Sequence, residues 1–313
     1  MSDVQRGMVG KTIRRNIKQT IGAWLKQFDQ EKDKDLIEAI ERDYIVTGGA
    51  IASMLLGDMP NDWDIYFKTQ ETARLVALHY VNNYREKVDK FGDGSMIEVK
   101  GNDTDGVSIV IKSAGFVGSV ENEQDGYQYF EGSPQGDAEQ YVDKILDKAE
   151  DKKIEKHAVA YISSNAITLN NNIQIILRFT GEPETIHKNF DFVHATCYYT
   201  KELGLVLNPD ALEALLQRKL VYVGSRFPVC SLFRIRKFLS RGFTISAGEI
   251  FKIAWDVNKL DLEDRHVLED QLMGVDQAYF SEIIEILNKD SNRKLDRTYL
   301  FELINRVFEE GIK

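Results

Sequence analysis

Residues 43–69 read DYIVTGGAIASMLLGDMPNDWDIYFKT, and the fold follows from how this stretch is parsed. Tyr44–Thr47 is a short β-branched and aromatic run that predicts a strand. Gly48-Gly49 predicts a turn, Ala50–Leu56 a short apolar helix, and Gly57 its end. Asp58, Pro60 and Asn61 mark a loop, and Trp63–Phe67 reads as a second strand that opens with Asp62 and Asp64 on either side of Trp63. Successive strand side chains alternate between faces, so these two carboxylates point the same way. Like charges at that separation repel unless a cation lies between them, and hard oxygen donors suit Mg²⁺. Paired glycines allow a ligand close to the backbone, and the helix start behind them offers N–H groups to a phosphate. A phosphate cradle facing a carboxylate pair is equipment for metal-assisted phosphoryl or nucleotidyl transfer. The plainer alternative for Asp62 and Asp64 is a pair of solvated acids at a strand end.

With those residues in place, the stretch resembles the nucleotidyltransferase superfamily of DNA polymerase beta. Within it, the head domain of CCA-adding enzymes and bacterial poly(A) polymerases is the nearest likeness. The features shared are Gly48, Gly49, the Leu55-Leu56-Gly57 helix ending, and Asp62-x-Asp64 on a strand. Where that family carries Arg-Asp in the helix, this chain has Ala52 and Ser53. A second block extends the likeness through Asp191-Phe192, Tyr198 and Tyr199 on an expected strand over 190–199, the turn Leu203-Gly204, and Asn208-Pro209 opening a helix. It ends in SLFRIRKFLSRGFTIS at 231–246, which resembles the family's neck helix. The family's arginine pair ahead of Asp-Phe is replaced by Asn189-Phe190, and its acid before the neck by Val229 or Cys230, which leaves nucleotide choice open. The order of these pieces looks closest to nucleotidyltransferase-like proteins of tailed bacteriophages.

Composition sets the outer bounds. The 313 residues are 43% hydrophobic and 29% charged, ordinary for a globular chain of about two domains. A formal net charge of −10 excludes a general electrostatic binder of nucleic acid, so contact with RNA must be local. Two cysteines, Cys197 and Cys230, make no disulfide framework and suit a reducing compartment. No apolar run is long enough to span a bilayer and no signal peptide is visible. The expected location is the host cytoplasm, or the virion, if the phage likeness holds.

Working outward, Ile13, Ile17, Ile21, Trp24 and Phe28 recur at helical spacing. They predict an amphipathic helix over 12–28 whose stripe packs on the head rather than on a membrane. Further helices are expected over 36–42 and 72–85. From about 86 to 157 the chain turns glycine-rich and acidic, with short strands at 96–100, 107–112 and 127–130 and a charged helix over 137–153. Strands follow at 158–163 and at Ile173–Phe179, whose nearly continuous apolar run predicts burial on both faces. Helices are expected over 210–218, 246–258, 264–272, 278–287 and 296–308.

The expected fold is α+β: residues 1–35 a helical extension, 36–224 a nucleotidyltransferase head with a mixed β-sheet and an acidic insertion near 86–157, and 225–313 an α-helical neck and body. The expected chemistry is attack of a hydroxyl on the α-phosphate of a nucleoside triphosphate, with Mg²⁺ held by Asp62 and Asp64. Thr47, Gly48, Gly49 and Ser53 would hold phosphates. The resemblance implies a third carboxylate on a neighbouring strand. On Ile173–Phe179 that position is Gln174, a poor ligand for a hard cation, so the leading candidate is Asp191, which alternatively matches the family's nucleotide-contacting Asp, and Glu98 is the remaining one. Arg178, Lys188, Arg234 and Lys237 would meet the triphosphate or an RNA or tRNA end; alternatively the neck cations, Arg226, Arg236 and Arg241 among them, balance the acidic insertion. His187 and His194 lack partners at zinc-ligand spacing. The competing function is a weakly catalytic or inactive nucleotide-binding module, or a virion-associated interaction module.

Overall fold

The computed structural model describes residues 7–88, 96–102, 106–112, 159–162 and 165–264, with scattered residues between 267 and 305. The expected strand at 127–130 and the helices over 137–153 and 278–287 lie outside them. The architecture is α+β. Two compact units divide the chain: the first holds the described residues up to 112, 159–187 and 194–215, and the second holds 188–193 and 216 onward.

The first unit is built on a sheet. Its elements are α1 (Gly10–Leu25), α2 (Lys34–Asp43), β1 (Tyr44–Thr47), α3 (Gly49–Leu56), β2 (Trp63–Phe67), α4 (Gln70–Val88), β3 (Met96–Asn102), β4 (Gly106–Lys112), β5 (Val159–Ile162), β6 (Ala166–Leu169), β7 (Ile173–Thr180), α5 (Pro183–His187), β8 (Tyr198–Thr200), β9 (Gly204–Val206) and α6 (Pro209–Gln217). The helix α6 runs across the boundary between the units at 215/216. Seven strands pair in the order β5-β6-β7-β2-β1-β8-β9, and β3 and β4 form a separate hairpin. Within the seven-stranded sheet β2 and β7 run parallel and the other pairs antiparallel, so the sheet is mixed.

Register gives this sheet two different faces. Paired residues on adjacent strands share a face. One row runs Leu205, Tyr199, Val46, Ile65, Ile175, Ile167, and all but partly buried Leu205 are fully or nearly fully buried in the main core. The helices α1 and α4 close this face. Ile13, Ile17, Ile21 and Trp24 of α1 are buried, and the Trp24 indole donates to Tyr80 Oη on α4 at 2.8 Å. The next row runs Tyr198, Thr47, Asp64, Gln174, Thr168 and is polar throughout. The chain ahead of α1 is also tied down. Met8 N donates to Met54 O at 3.0 Å, and a Cβ on Gly7 would fall 2.2 Å from Leu55 O, at the end of α3.

The second unit holds β10 (Lys219–Leu220), α7 (Pro228–Ser240), β11 (Thr244–Ile245) and α8 (Ala247–Val257). Residues 191–193 run beside 221–223 through Val223 N to Asp191 O (2.9 Å) and Val193 N to Val221 O (3.0 Å). The Phe192 ring packs edge-on against Tyr222 and Phe238. Pro228 opens α7 and the Ser246 hydroxyl accepts from Glu249 N at the start of α8, as expected of these residue types at helix starts.

Four expectations are corrected. The strand expected over 190–199 is bends and a 3-10 turn (Val193–Ala195), with strand confined to Tyr198–Thr200. The neck helix ends at Ser240, just ahead of its Gly242-Phe243 ending, but Thr244–Ile245, for which no strand is expected, runs parallel to β10. Ala166–Leu169, for which the sequence predicts no element, is a strand. β7 alternates between buried and half-buried positions instead of being buried on both faces, because Gln174, Ile176 and Arg178 lie on the polar side. Among the described residues no helix is long and apolar enough to cross a membrane.

Candidate functional site

The site grows from the end of β1. Thr47 is fully buried; its hydroxyl donates to Cys197 O at 2.9 Å and lies 2.8 Å from His187 Nε2. With the hydroxyl proton directed to Cys197 O, the imidazole N–H is the donor to Thr47 Oγ1. The Thr47 side chain is therefore spent on anchoring, and its contribution to any ligand is through position. Gly48 follows with φ 82° and ψ −149°, a conformation open essentially to glycine alone, and its N–H donates to Ala195 O at 3.1 Å. The bend feeds α3, which starts without a side-chain cap, so its first-turn amides are left for solvent or a ligand. Ser53 lies one turn further in, half-buried.

Opposite this bend stands Asp64, paired in register with Thr47. A Cβ on Gly48 would fall 2.9 Å from Asp64 Oδ2, whereas a Cβ on Gly49 would meet nothing within 4 Å. The missing side chain at Gly48 is thus what lets the carboxylate lie against the bend. Asp62 is exposed immediately ahead of β2, whose first residue is fixed by Trp63 N donating to Asn172 O at 2.8 Å. On the other side of Asp64, β7 presents Gln174 in register. Arg178 lies on the same face of β7, two pleats along. Among the described residues no group of three or more His, Cys, Asp or Glu gathers as a metal site.

The remaining predicted residues belong to the second unit. β2 is flanked by β1 and β7, so Asp191 does not stand on a strand beside it. Asp191 is buried and accepts from Arg234 Nη1 at 3.0 Å and from Phe192 N at 3.0 Å. Lys188 is exposed, as is Lys237, which follows Arg234 by three residues on α7. The first unit therefore collects Thr47, Gly48, Gly49, Ser53, Asp62, Asp64 and Arg178, and the second collects Lys188, Asp191, Arg234 and Lys237.

The profile of the Gabija anti-defense 2 (Gad2) family protein matches residues 15–218, a span that holds every site residue named above except Arg234 and Lys237. The chain belongs to the Gabija anti-defense 2 family. One relative, Gabija anti-defense 2 of Bacillus phage SPbetaL7, is 28% identical over 149 residues, covering 44% of this Gad2-family chain and 37% of that protein. The chain thus spans well under half the length of this curated relative. Among solved structures, the Thermotoga maritima CCA-adding enzyme complexed with tRNA is similar at 13% identity and a TM-score of 0.34, over 84% of this chain and 51% of that one. The Bacillus stearothermophilus CCA-adding enzyme in complex with CTP is similar at 14% identity and a TM-score of 0.35, over 82% and 51%.

One residue of this Gad2-family site was read in the sequence only as a non-ligand. His187 braces Thr47 from α5, and burial pushes its pKa down to about 4, so the imidazole is neutral near pH 7. The tertiary pairing of positions 47 and 187 leaves no local spacing from which it could be found.

Proposed function

We propose that the chain is a nucleotidyltransferase that moves a nucleoside monophosphate from a nucleoside triphosphate to a hydroxyl acceptor, and that this activity serves counter-defence in the infected host cytoplasm. The observation that carries the reading is the approach of Asp64 to the Gly48 bend, which sets a carboxylate beside a glycine-lined helix start. The first-turn amides of α3 would bind phosphate oxygens, and Arg178 would add positive charge on the same sheet face. Asp62 and Asp64, partly or fully accessible and offering only oxygen donors, fit Mg²⁺. When bound, Mg²⁺ neutralises triphosphate charge and lowers the pKa of the attacking hydroxyl. The acceptor oxygen bonds to the α-phosphorus, the bond to the β-phosphate bridge breaks, and pyrophosphate leaves. The hydroxyl proton passes to a carboxylate of the pair or to water. The acceptor is an RNA 3′ end, or a protein or small-molecule hydroxyl.

Two features favour a second reading, a nucleotide-binding interaction module with weak or no turnover: Gln174 in register with Asp64, and Asp191 committed to Arg234. Incubation with labelled nucleoside triphosphates, Mg²⁺ and in turn total tRNA, host protein and small acceptors separates the two. Label transfer that disappears in Asp62→Ala and Asp64→Ala supports the enzyme. Retention of nucleotide with no transfer to any acceptor supports the module.

A further inference from the structure

A surface helix ordinarily sets its apolar stripe on the core and its polar side in water. Within the second unit, α8 does the reverse. Its inward positions are Glu249, Ile253 and Asp256, spaced i, i+4 and i+7. Ile253 is fully buried, and both acids serve Tyr222. Glu249 Oε2 accepts from Tyr222 N at 2.7 Å and Asp256 Oδ2 from Tyr222 Oη at 3.1 Å. The outward positions are Ala247, Ile250, Phe251, Ala254, Trp255 and the C-cap Asn258, all exposed. Phe251 is 65% and Trp255 60% exposed, with ring centroids 6.0 Å apart, and Ile250 is 44% exposed. At about 150–250 Å² per aromatic side chain, these three residues leave roughly 300–400 Å² of apolar surface open, the size of a functional patch.

Charge and shape select what covers it. The stripe holds no charged residue, and the cations flanking it are spent within the helix, Lys252 on Glu249 at 2.8 Å and Lys259 on Asp256 at 2.7 Å. It therefore has little to offer a phosphate backbone or an anionic lipid surface. A second copy of the same stripe fits it. When two such helices run antiparallel about a two-fold axis between residues 252 and 253, Phe251 comes opposite Ala254, Ile250 opposite Trp255, and Ala247 opposite Asn258. Each phenyl ring then meets a small residue instead of another ring, and no charge is buried in the row. The open apolar area falls short of the ~800 Å² per partner of a standard stable interface, so the pairing is reversible.

We propose that the outer face of α8 is a self-association surface, on which two copies of this chain pair isologously through antiparallel α8 helices, each Phe251 ring seated on Ala254 of the other copy. The pairing is independent of the nucleotide site proposed above.

The test is sedimentation velocity of the full chain from about 1 to 200 µM, a range that brackets the weak affinity such an area gives. Wild type is expected to pass from monomer to dimer across it. Trp255→Glu is expected to weaken the dimer at least about tenfold by placing a charge in the apolar contact. Ala254→Glu, which sets a charge against the opposing Phe251 ring, is expected to do the same, and it is the second variant should Trp255→Glu fail to fold by circular dichroism. A wild type that stays monomeric to about 200 µM overturns the proposal. That outcome covers the cases in which residues beyond 264 of the same chain lie on the stripe, or in which single-stranded RNA or anionic vesicles bind it instead. A dimer of unchanged affinity in the folded variants overturns it as well.

Discussion

At the scale of single residues, the two glycines of the bend are not equivalent. Gly48 combines a positive φ with the Asp64 carboxylate where a methyl would go, while Gly49 sits in ordinary helical backbone with open space. Gly48→Ala should cost about 1–3 kcal/mol from the backbone alone, displace the Asp64 carboxylate, and abolish binding of a triphosphate analogue. Gly49→Ala should leave stability unchanged or slightly raised, so a loss of analogue binding there would report a ligand against that Cα. Urea titration and calorimetry read the two effects separately. His187 and Asp43 shape the acid limb of stability. Burial depresses the His187 pKa from 6.5 to about 4; on acidification the unfolded chain takes up this proton first, so stability falls between about pH 6.5 and 4. The Asp43 carboxylate is penalised by burial, but hydrogen bonds from Arg42, Thr69 and Thr72 outweigh this and hold its pKa at about 2, against 3.8. Its contribution is complete above pH 3.8 and drains away as pH falls towards 2. Stability measured from pH 8 to 4 should therefore decline in wild type and decline less in His187→Gln, while Asp43→Asn alters only the limb below about pH 4 beyond any constant loss.

At the scale of elements, α1 is part of the sheet's core rather than an appendage. Trp24→Ala should cost about 3–5 kcal/mol, the range for emptying a buried aromatic site. Tyr80→Phe should cost about 1–3 kcal/mol because Trp24 and Gln27 both donate to the lost hydroxyl. Equilibrium urea unfolding checks both. The elements legible in the sequence were those whose local pattern and tertiary role agree: the Ile13–Trp24 stripe, the Tyr44–Phe67 strand–bend–helix–strand, and the mixed sheet they imply. The misreadings have separate causes. In residues 190–199 aromatic composition favoured strand, yet Phe192 is claimed by the second unit, where it packs on Tyr222 and Phe238, and backbone pairing runs to 221–223 instead. In β7 the run of isoleucines and leucines concealed Gln174, Ile176 and Arg178 on the accessible face, because apolar side chains occur on both sides of a sheet that is only partly covered. The short Ala166–Leu169 strand sits between two turn signals and has no local pattern long enough to announce it. At the site, the bend and the paired acids were readable because they are contiguous; the bracing of Thr47 by His187 and the pairing of Asp64 with Gln174 depend on residues more than a hundred positions apart.

At the scale of the whole molecule, charge limits how an RNA acceptor would be met. With a formal net charge of −10 and a pI near 5.2, long-range attraction to a polyanion is missing, and any affinity must come from a few local cations. Filter binding of random single-stranded RNA should show no retention near about 150 mM salt, and a shallow salt slope at lower concentrations, since that slope counts neutralised phosphates. Strong, steeply salt-dependent retention would reveal a basic surface larger than the one set by Lys188, Arg234 and Lys237. The first described residues carry one more consequence. Family likeness begins at residue 15, which invites trimming the protein there for crystallisation or display on a bead. Such a cut would remove the Met8 amide that holds Met54 O and the Gly7 backbone seated on Leu55 O, freeing the far end of the helix whose near end forms the bend. The segment shared with relatives is shorter than the segment that folds, and a leader cut to match the former would be expected to loosen the very turn it was meant to isolate.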